Sequence, residues 1–128
     1  MIQTYFDRLK RVIDRYAAAP FVLDMRVSFE LRPGDQGYVT GSVLFRDQST
    51  LFFREYLDSS AGQVSKLMYS YHWQDADEQL VFRYDNARHR PPLAMLDHKH
   101  TVNGIVSSQE PTLGTVLAEV VTTAGWAQ

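Results

Sequence analysis

Alternation of apolar and polar side chains constrains this chain more than any other feature. From Met25 to Leu31 every second residue is apolar, and the residues between are polar or charged. A period of two is the pattern of a β-strand with one buried face. Such stretches, separated by short turns, predict five strands, at residues 22–31, 38–46, 50–57, 64–73 and 80–84. Because the links are short, a sequential antiparallel meander is the simplest topology.

Helical periodicity precedes and follows these strands. Apolar residues recur at three- and four-residue steps over residues 2–18. The same spacing returns over residues 113–121, with Thr112 or Ser108 as the N-cap. We therefore predict an α+β fold, in which an N-terminal and a C-terminal helix pack on one face of an antiparallel sheet. Residues 1–128 would form a single domain.

Composition excludes several classes of function. The chain has 13 Lys and Arg against 15 Asp and Glu, so no overall basic field favours nucleic acid, and any RNA contact would be local. The lack of cysteine excludes disulfides, thiolate metal ligands and a cysteine nucleophile. It also suits a reducing cytoplasm, which we predict as the location. Since no apolar run approaches the length of a membrane span, we expect no membrane association.

A basic, histidine-rich stretch runs from Arg83 to His100 and holds three of the four histidines. It begins where the fifth strand is predicted to end and is broken by Pro91-Pro92, so we expect a long irregular loop over residues 85–104, after which Ile105-Val106 could add a short strand. Loops on a rigid scaffold often carry binding and catalytic residues. The remaining histidine, His72, lies on the fourth strand, where a cross-strand contact is the simpler interpretation.

One chemistry that this stretch can support is acid–base cleavage of RNA without a metal or other cofactor. Histidine exchanges protons near neutral pH, so His89, His98 and His100 are candidates for proton transfer. Arg83 and Lys99 could hold phosphate. If the His-Lys-His tripeptide is extended, its two histidines share one face of the strand and Lys99 lies on the other.

A divalent metal site is a second interpretation of the same residues. His89, His98 and His100 could bind an ion together with a carboxylate from Asp85 or Glu55. Glu55 lies on the apolar face of the third strand, where a carboxylate needs a partner or a raised pKa. An edge position or a salt bridge to arginine would also explain it. A third interpretation is structural, in which the polar side chains fasten the loop to nearby backbone.

Residues 82–87, Phe-Arg-Tyr-Asp-Asn-Ala, followed by His89 and the His98-Lys99-His100 block, resemble the signature of the TumE-like toxin family. The resemblance extends more loosely over most of the chain. Members of this family are described as toxins of type II toxin–antitoxin modules, each paired with a helix-turn-helix antitoxin. Three positions depart from the family pattern, with Arg88 in place of Pro and Arg90 and Asp97 in place of His.

The resemblance implies a growth-inhibiting toxin that is neutralised by a helix-turn-helix antitoxin. Combined with the residue chemistry, it favours a ribonuclease in which the three histidines transfer protons and Asp85 orients one of them. Arg83, Arg88 and Lys99 would hold the phosphate. The competing class is a non-enzymatic protein whose loop and sheet edge bind a partner. The sequence leaves open whether two copies form a homodimer.

Overall fold

Two helices and seven strands are formed by residues 1–87 and 97–126, which are the residues that the computed structural model describes. In chain order the elements are α1 (Ile2–Ala17), β1 (Val22–Arg32), β2 (Gln36–Phe45), β3 (Thr50–Asp58), β4 (Ser65–Gln74), β5 (Leu80–Asp85), β6 (His98–Thr101), β7 (Gly104–Ser107) and α2 (Leu113–Ala124). Both helices and the first five strands lie close to their predicted positions. The predicted α+β fold is therefore confirmed.

The strands of the described chain form one antiparallel sheet in the order β1-β2-β3-β4-β5-β6-β7. Each strand pairs with the next one in sequence, as predicted for a meander. The sheet has seven strands rather than five, because residues 98–101 and 104–107 extend it beyond β5. The prediction of an irregular loop is wrong for residues 98–101, whereas the short strand expected at Ile105-Val106 is present as β7. Strand β6 is only four residues long, and His-Lys-His-Thr lacks the apolar alternation by which longer strands are recognised.

Both helices cover the same face of the sheet, as predicted. Tyr5 of α1 donates a hydrogen bond to the Glu55 carboxylate on β3. Tyr84 of β5 donates to Glu119 of α2 at 2.6 Å. Thr112 is the N-cap of α2, and its side chain accepts a hydrogen bond from the Thr115 backbone N–H at 3.1 Å. The core lies between helices and sheet, and its fully buried members include Val39, Val43, Phe45, Leu51, Leu57, Tyr71, Leu117 and Val120.

Gly41 of β2 allows one close approach within this core. It pairs regularly with Val27 of β1 and Phe53 of β3. A Cβ atom at this position would lie 2.4 Å from Cζ of Phe53 and 2.7 Å from the carbonyl oxygen of Arg26. The ring of Phe53 therefore packs where any other residue would place its side chain.

The opposite face of the sheet is not covered by either described helix. The register aligns its side chains in two rows that cross the strands. One row contains Ser28, Thr40, Arg54, Ser70, Asp85 and His98, and the other contains Arg26, Ser42, Phe52, His72, Arg83 and His100. We call this the open face. It carries the residues from which a functional site can be built.

Candidate functional site

The Asp85 carboxylate is the centre of a cluster at the β5–β6 end of the open face. Arg83 Nε donates a hydrogen bond to Oδ2 of Asp85 at 2.8 Å. His98 Nδ1 lies 2.8 Å from Oδ1, and His100 Nε2 lies 3.4 Å from Oδ2. The backbone N–H of Ala87 donates to Oδ1 at 3.3 Å. A single carboxylate, only 4% exposed, thus gathers three basic side chains from two neighbouring strands.

Strand geometry explains why these four side chains meet. Side chains two residues apart on a strand share a face, so Arg83 and Asp85 point the same way, as do His98 and His100. The antiparallel register then places Arg83 opposite His100 and Asp85 opposite His98. Directly opposed residues are near enough for their side chains to interact. The pairing of β5 with β6 therefore assembles the cluster.

His98 is buried and is held at both ring nitrogens. Its Nε2 lies 3.0 Å from the carbonyl oxygen of Ala87, while its Nδ1 faces the Asp85 carboxylate. Both neighbours are hydrogen-bond acceptors, so either ring nitrogen has a partner to which an N–H can donate. His98 is only 1% exposed. The ring therefore positions Asp85 and the start of β6 and is not placed to meet a substrate.

The cluster keeps Asp85 ionised. Burial alone would raise the pKa of Asp85, since it disfavours the charged form. The hydrogen bond from Arg83, followed by the positive charges of His100, Arg83 and His98, outweighs that effect and holds this pKa below its usual value. A stable carboxylate can orient the imidazole of His100, which faces it through Nε2.

His72 lies on the other side of Arg83 and has a defined tautomer. Arg83 Nη1 is 3.4 Å from Nδ1 of His72, and an arginine can only donate, so Nδ1 carries a lone pair. Nε2 lies 3.2 Å from the Gln74 side-chain oxygen and carries the proton. Burial lowers the pKa of His72; the Gln74 contact raises it, and the Arg83 charge lowers it further. The imidazole is therefore neutral at physiological pH.

The row through Arg83 thus places a histidine on each side of a guanidinium. His72 is opposite Arg83 on β4, and His100 is opposite Arg83 on β6. The side chains of Arg83 and His100 are 32% and 21% exposed, so a solute can reach both. The cross-strand contact predicted for His72 is present, and its partner is Arg83 on the neighbouring strand.

Two further polar residues fix the ends of these strands. The Asn86 side-chain oxygen accepts from the Tyr69 backbone N–H at 3.0 Å, and its amide donates to the Leu67 carbonyl at 3.2 Å. Asp97 accepts a hydrogen bond from the Tyr69 hydroxyl at 2.7 Å. Burial and the Asp97 carboxylate raise the pKa of Tyr69, so its phenol remains a donor. Asn86 and Asp97 therefore have structural contacts, and Asp85 and His98 contact the Ala87 backbone, which supports the structural interpretation for these positions.

Lys99 is not part of the cluster, so the structure gives its predicted phosphate role no support. It alternates with the two histidines and faces the helices, where Nζ lies 2.6 Å from the Glu119 carboxylate of α2. It also lies over the Tyr84 ring at 5.1 Å from the centroid. Lys99 therefore joins β6 to α2. Lys99 thus lies on the opposite face of the strand from His98 and His100, as predicted for an extended tripeptide.

Glu55 is likewise on the helix-covered face, and this corrects its inclusion among the metal ligands. Its carboxylate is 1% exposed and accepts hydrogen bonds from the hydroxyls of Tyr5 and Tyr71. Lys66 Nζ is 3.6 Å from the carboxylate and donates to the Pro111 carbonyl at 2.6 Å. The expectation that a carboxylate on this face needs partners is met, but by a lysine and two phenols rather than by an arginine. Burial and this carboxylate raise the pKa of both tyrosines.

His89 and Arg88, the other predicted site residues, lie outside the described residues, as do Arg90 and the Pro91-Pro92 pair. Within the described ranges, ligand atoms of Asp85, His98 and His100 all lie within 4.8 Å of one another. One carboxylate and two imidazoles are donors that zinc and similar ions accept. The cluster could therefore hold a divalent cation, although Arg83 already occupies one carboxylate oxygen.

The fold and the cluster define a class of protein: a small α+β domain whose two helices cover one face of a meander and whose other face presents a carboxylate surrounded by basic side chains. A family model described as toxin TumE matches residues 9–124, nearly the whole chain. The chain therefore belongs to the TumE toxin family, and the resemblance noted in the sequence is confirmed. No curated protein and no solved structure gave a significant match.

Membership in this family makes the chain a toxin of a toxin–antitoxin system, so its partner is an antitoxin. Within residues 1–87 and 97–126, no helix combines the length and the apolar character needed to cross a bilayer. The family name specifies no substrate, so the chemistry depends on the residues of the site itself.

Proposed function

We propose that this toxin inhibits growth by cleaving RNA in the cytoplasm, with the row His72–Arg83–His100 as its reaction centre. The observation that carries this proposal is that a solvent-accessible guanidinium is flanked on one sheet face by two histidines in different environments. Cleavage of a phosphodiester without metal needs a base, an acid and a cation beside the phosphate. This row contains all three within two inter-strand spacings, about 10 Å between the backbones of the outer strands.

His72 suits the role of general base. Its neutral form carries the Nδ1 lone pair towards Arg83, where the phosphate would bind. It would take the proton of the ribose 2′-hydroxyl, whose oxygen then attacks phosphorus to give a 2′,3′-cyclic phosphate. The P–O5′ bond breaks, and His100, oriented by Asp85, would give its proton to the leaving 5′-oxygen. Arg83 would hold the phosphate through its planar fork of donors.

The other predicted residues keep narrower roles in this proposal. Asp85 orients His100 and Arg83, and His98 is a positioning residue that holds Asp85 from its buried side. His89 and Arg88 stay as predicted, a further proton-transfer group and a further phosphate contact. The partner is proposed to be a helix-turn-helix antitoxin, as the resemblance implied. That proposal predicts co-purification with a helix-turn-helix protein encoded beside the toxin.

The test compares the wild-type chain with H72A, H100A and K99M, both as induced proteins in cells and as purified proteins with single-stranded RNA. We expect H72A and H100A each to lower the cleavage rate by about 10²–10⁴-fold and to relieve growth inhibition. K99M is the matched control, because it changes the residue beside His100 that faces the helices. Full toxicity and full cleavage in both histidine variants, with folding intact, would contradict the proposal.

The pH dependence adds a second readout. A general base works only when deprotonated, so the rate should fall as the pH drops through the lowered pKa of His72, which lies below the usual histidine value near 6.5. In H72A this acidic limb should disappear from the residual rate. An identical acidic limb in H72A would assign it to another group.

A metal-dependent hydrolase is the second candidate, and the grouping of Asp85, His98 and His100 favours it. In that case a bound divalent cation would polarise the phosphate or activate water. Elemental analysis of the purified chain and treatment with chelator distinguish the two candidates. The metal-independent proposal expects full activity in chelator. Loss of activity in chelator, restored by one metal ion and abolished in H98A, would favour the metal site instead.

A further inference from the structure

We infer that the open face carries a binding groove for single-stranded RNA, with Phe52 as a stacking surface for a base and Arg54 as a phosphate contact. The inference extends the proposed function, because it names the substrate class and the surface that brings it to Arg83. It concerns residues of β2 to β4 that are remote in sequence from the histidine-rich stretch.

The groove is a shallow depression of about 400 Å³ that begins at the reaction centre. Its lining includes Thr40, Phe52, Arg54, Ser70, His72 and Arg83. A second depression of about 390 Å³ shares Thr40 and Phe52 with it and continues towards Arg26 on β1. Together they cross from β5 to β1, about 19 Å over four inter-strand spacings. That length accommodates a few nucleotides.

The charges of the groove favour a polyanion. In the two rows of the open face that the structure describes, three arginines (Arg26, Arg54 and Arg83) stand against one carboxylate, that of Asp85, and Asp24 beside the rows forms an ion pair with Arg26 at 2.9 Å. The Arg54 side chain is exposed, and its Nε donates a hydrogen bond to a neutral group, the Ser70 hydroxyl, at 3.2 Å. The chain as a whole has a net charge of −2, so this positive surface is local. A guanidinium that is already aligned by Ser70 is suited to a phosphate.

Phe52 explains why the ligand would be single-stranded. Phe52 is 46% exposed on the open face, whose two rows are otherwise polar, and it lies directly opposite His72. Exposed aromatic rings on a sheet bind unpaired bases by stacking, because every base offers a flat π-face. A duplex keeps its bases stacked on one another and presents mainly phosphates and sugars to a protein. The combination of Phe52 with Arg54 and Arg83 therefore fits single strands better than duplexes.

The test measures binding of a fluorescent 12-nucleotide RNA to the full chain by anisotropy. Methylation of every 2′-hydroxyl prevents cleavage during titration, because the attacking oxygen is blocked. We expect F52A to weaken binding by about 5- to 150-fold in Kd, the range for loss of one stacked base. R54Q should lower the slope of log K against log salt by about 0.7, the value for one phosphate contact with a single strand.

Two matched controls lie away from the open face. L31A removes an exposed apolar side chain from β1, and R11Q removes one positive charge from α1. Both should bind the RNA like the wild type. The duplex of the same sequence should bind at least tenfold more weakly than the single strand. Equal RNA affinities of F52A, R54Q and the controls would contradict the proposed binding groove. Tighter binding of the duplex than of the single strand, or no RNA binding by the wild type, would contradict it as well.

The outcomes separate the groove from the cleavage proposal. If the wild type cleaves RNA but F52A and R54Q bind and cleave RNA normally, the proposed groove is wrong and the proposed reaction centre is unaffected. If single-stranded RNA binds through Phe52 and Arg54 but the purified chain cleaves nothing, the groove stands and the cleavage proposal fails. Unchanged melting temperatures of the variants, measured in parallel, ensure that lost binding is not lost folding.

Discussion

Replacing Asp85 by Asn is the sharpest test of the cluster, because one carboxylate there faces three basic groups. The substitution keeps the shape of the side chain and removes its negative charge. It leaves the buried His98 ring, whose side chain is 2% exposed, facing a neutral amide. Arg83 Nε, at 2.8 Å from Asp85 Oδ2, loses its ionic partner as well.

The size of the destabilisation expected for D85N follows from how exposed each partner of Asp85 is. Removing one member of a buried ion pair costs about 3–5 kcal/mol, because it leaves a charge unpaired in the interior. The side chains of Arg83 and His100 are 32% and 21% exposed, so water compensates part of their loss. We therefore expect D85N to lower the free energy of unfolding by about 3 kcal/mol. In a chain of this length that corresponds to a fall in Tm of about 10 °C.

Urea denaturation followed by far-ultraviolet circular dichroism measures this difference, with D24N as the matched control. Asp24 forms an ion pair with Arg26 at 2.9 Å, but the two side chains are 51% and 83% exposed. Such exposed pairs contribute about 0–1 kcal/mol, so D24N should be close to the wild type. A cost for D85N no larger than that for D24N would refute the description of Asp85 as the ionic centre.

The same comparison predicts a pH dependence. The pKa of Asp85 is lowered in the folded state, so its contribution to stability is present above the unfolded-state pKa of about 3.9. That contribution is lost as the pH falls through the folded-state pKa. The difference in stability between wild type and D85N should therefore be full at pH 7 and shrink below pH ~4. A difference that stays constant down to pH ~2 would show that the Asp85 charge does not cause it.

Three further predictions concern the other face of the sheet. K66M should lower the free energy of unfolding by about 3–5 kcal/mol in urea denaturation, because the buried Glu55 carboxylate loses its ion-pair partner. The double variant K66M/E55Q should recover part of that loss, and strictly additive losses would show that the two side chains are not coupled. G41A should destabilise by about 1–3 kcal/mol, because its methyl group meets the Phe53 ring and backbone; an unchanged Tm would show that the ring moves easily. E119Q should leave RNA cleavage unchanged while lowering Tm slightly, since Lys99 and Tyr84 contact Glu119 away from the open face; a loss of cleavage would connect the two faces.

Much of the fold could be predicted from the sequence because long strands and helices repeat a pattern. The alternation from Met25 to Leu31 and the helical spacing of residues 113–121 are local properties of the sequence. Each pattern indicates which face of its strand or helix is buried. Strand β6 escaped prediction because it is short and because His-Lys-His-Thr has no apolar face. Strand β6 is held by its pairing with β5, and because the paired residues are far apart in the sequence, no local pattern reveals this contact.

The sequence by itself determined the α+β meander and drew attention to Asp85, the histidines and Glu55 as polar groups that need partners. Only the tertiary structure decided which partners they have. The register of β4, β5 and β6 places His72 and His100 on either side of Arg83, and it turns His98 inward against Asp85. The same alternation sends Lys99 to α2 and Glu55 to Lys66. The physical reason is that a strand fixes only which side a residue faces, whereas its neighbours on that side come from other strands, chosen by the register of the whole sheet.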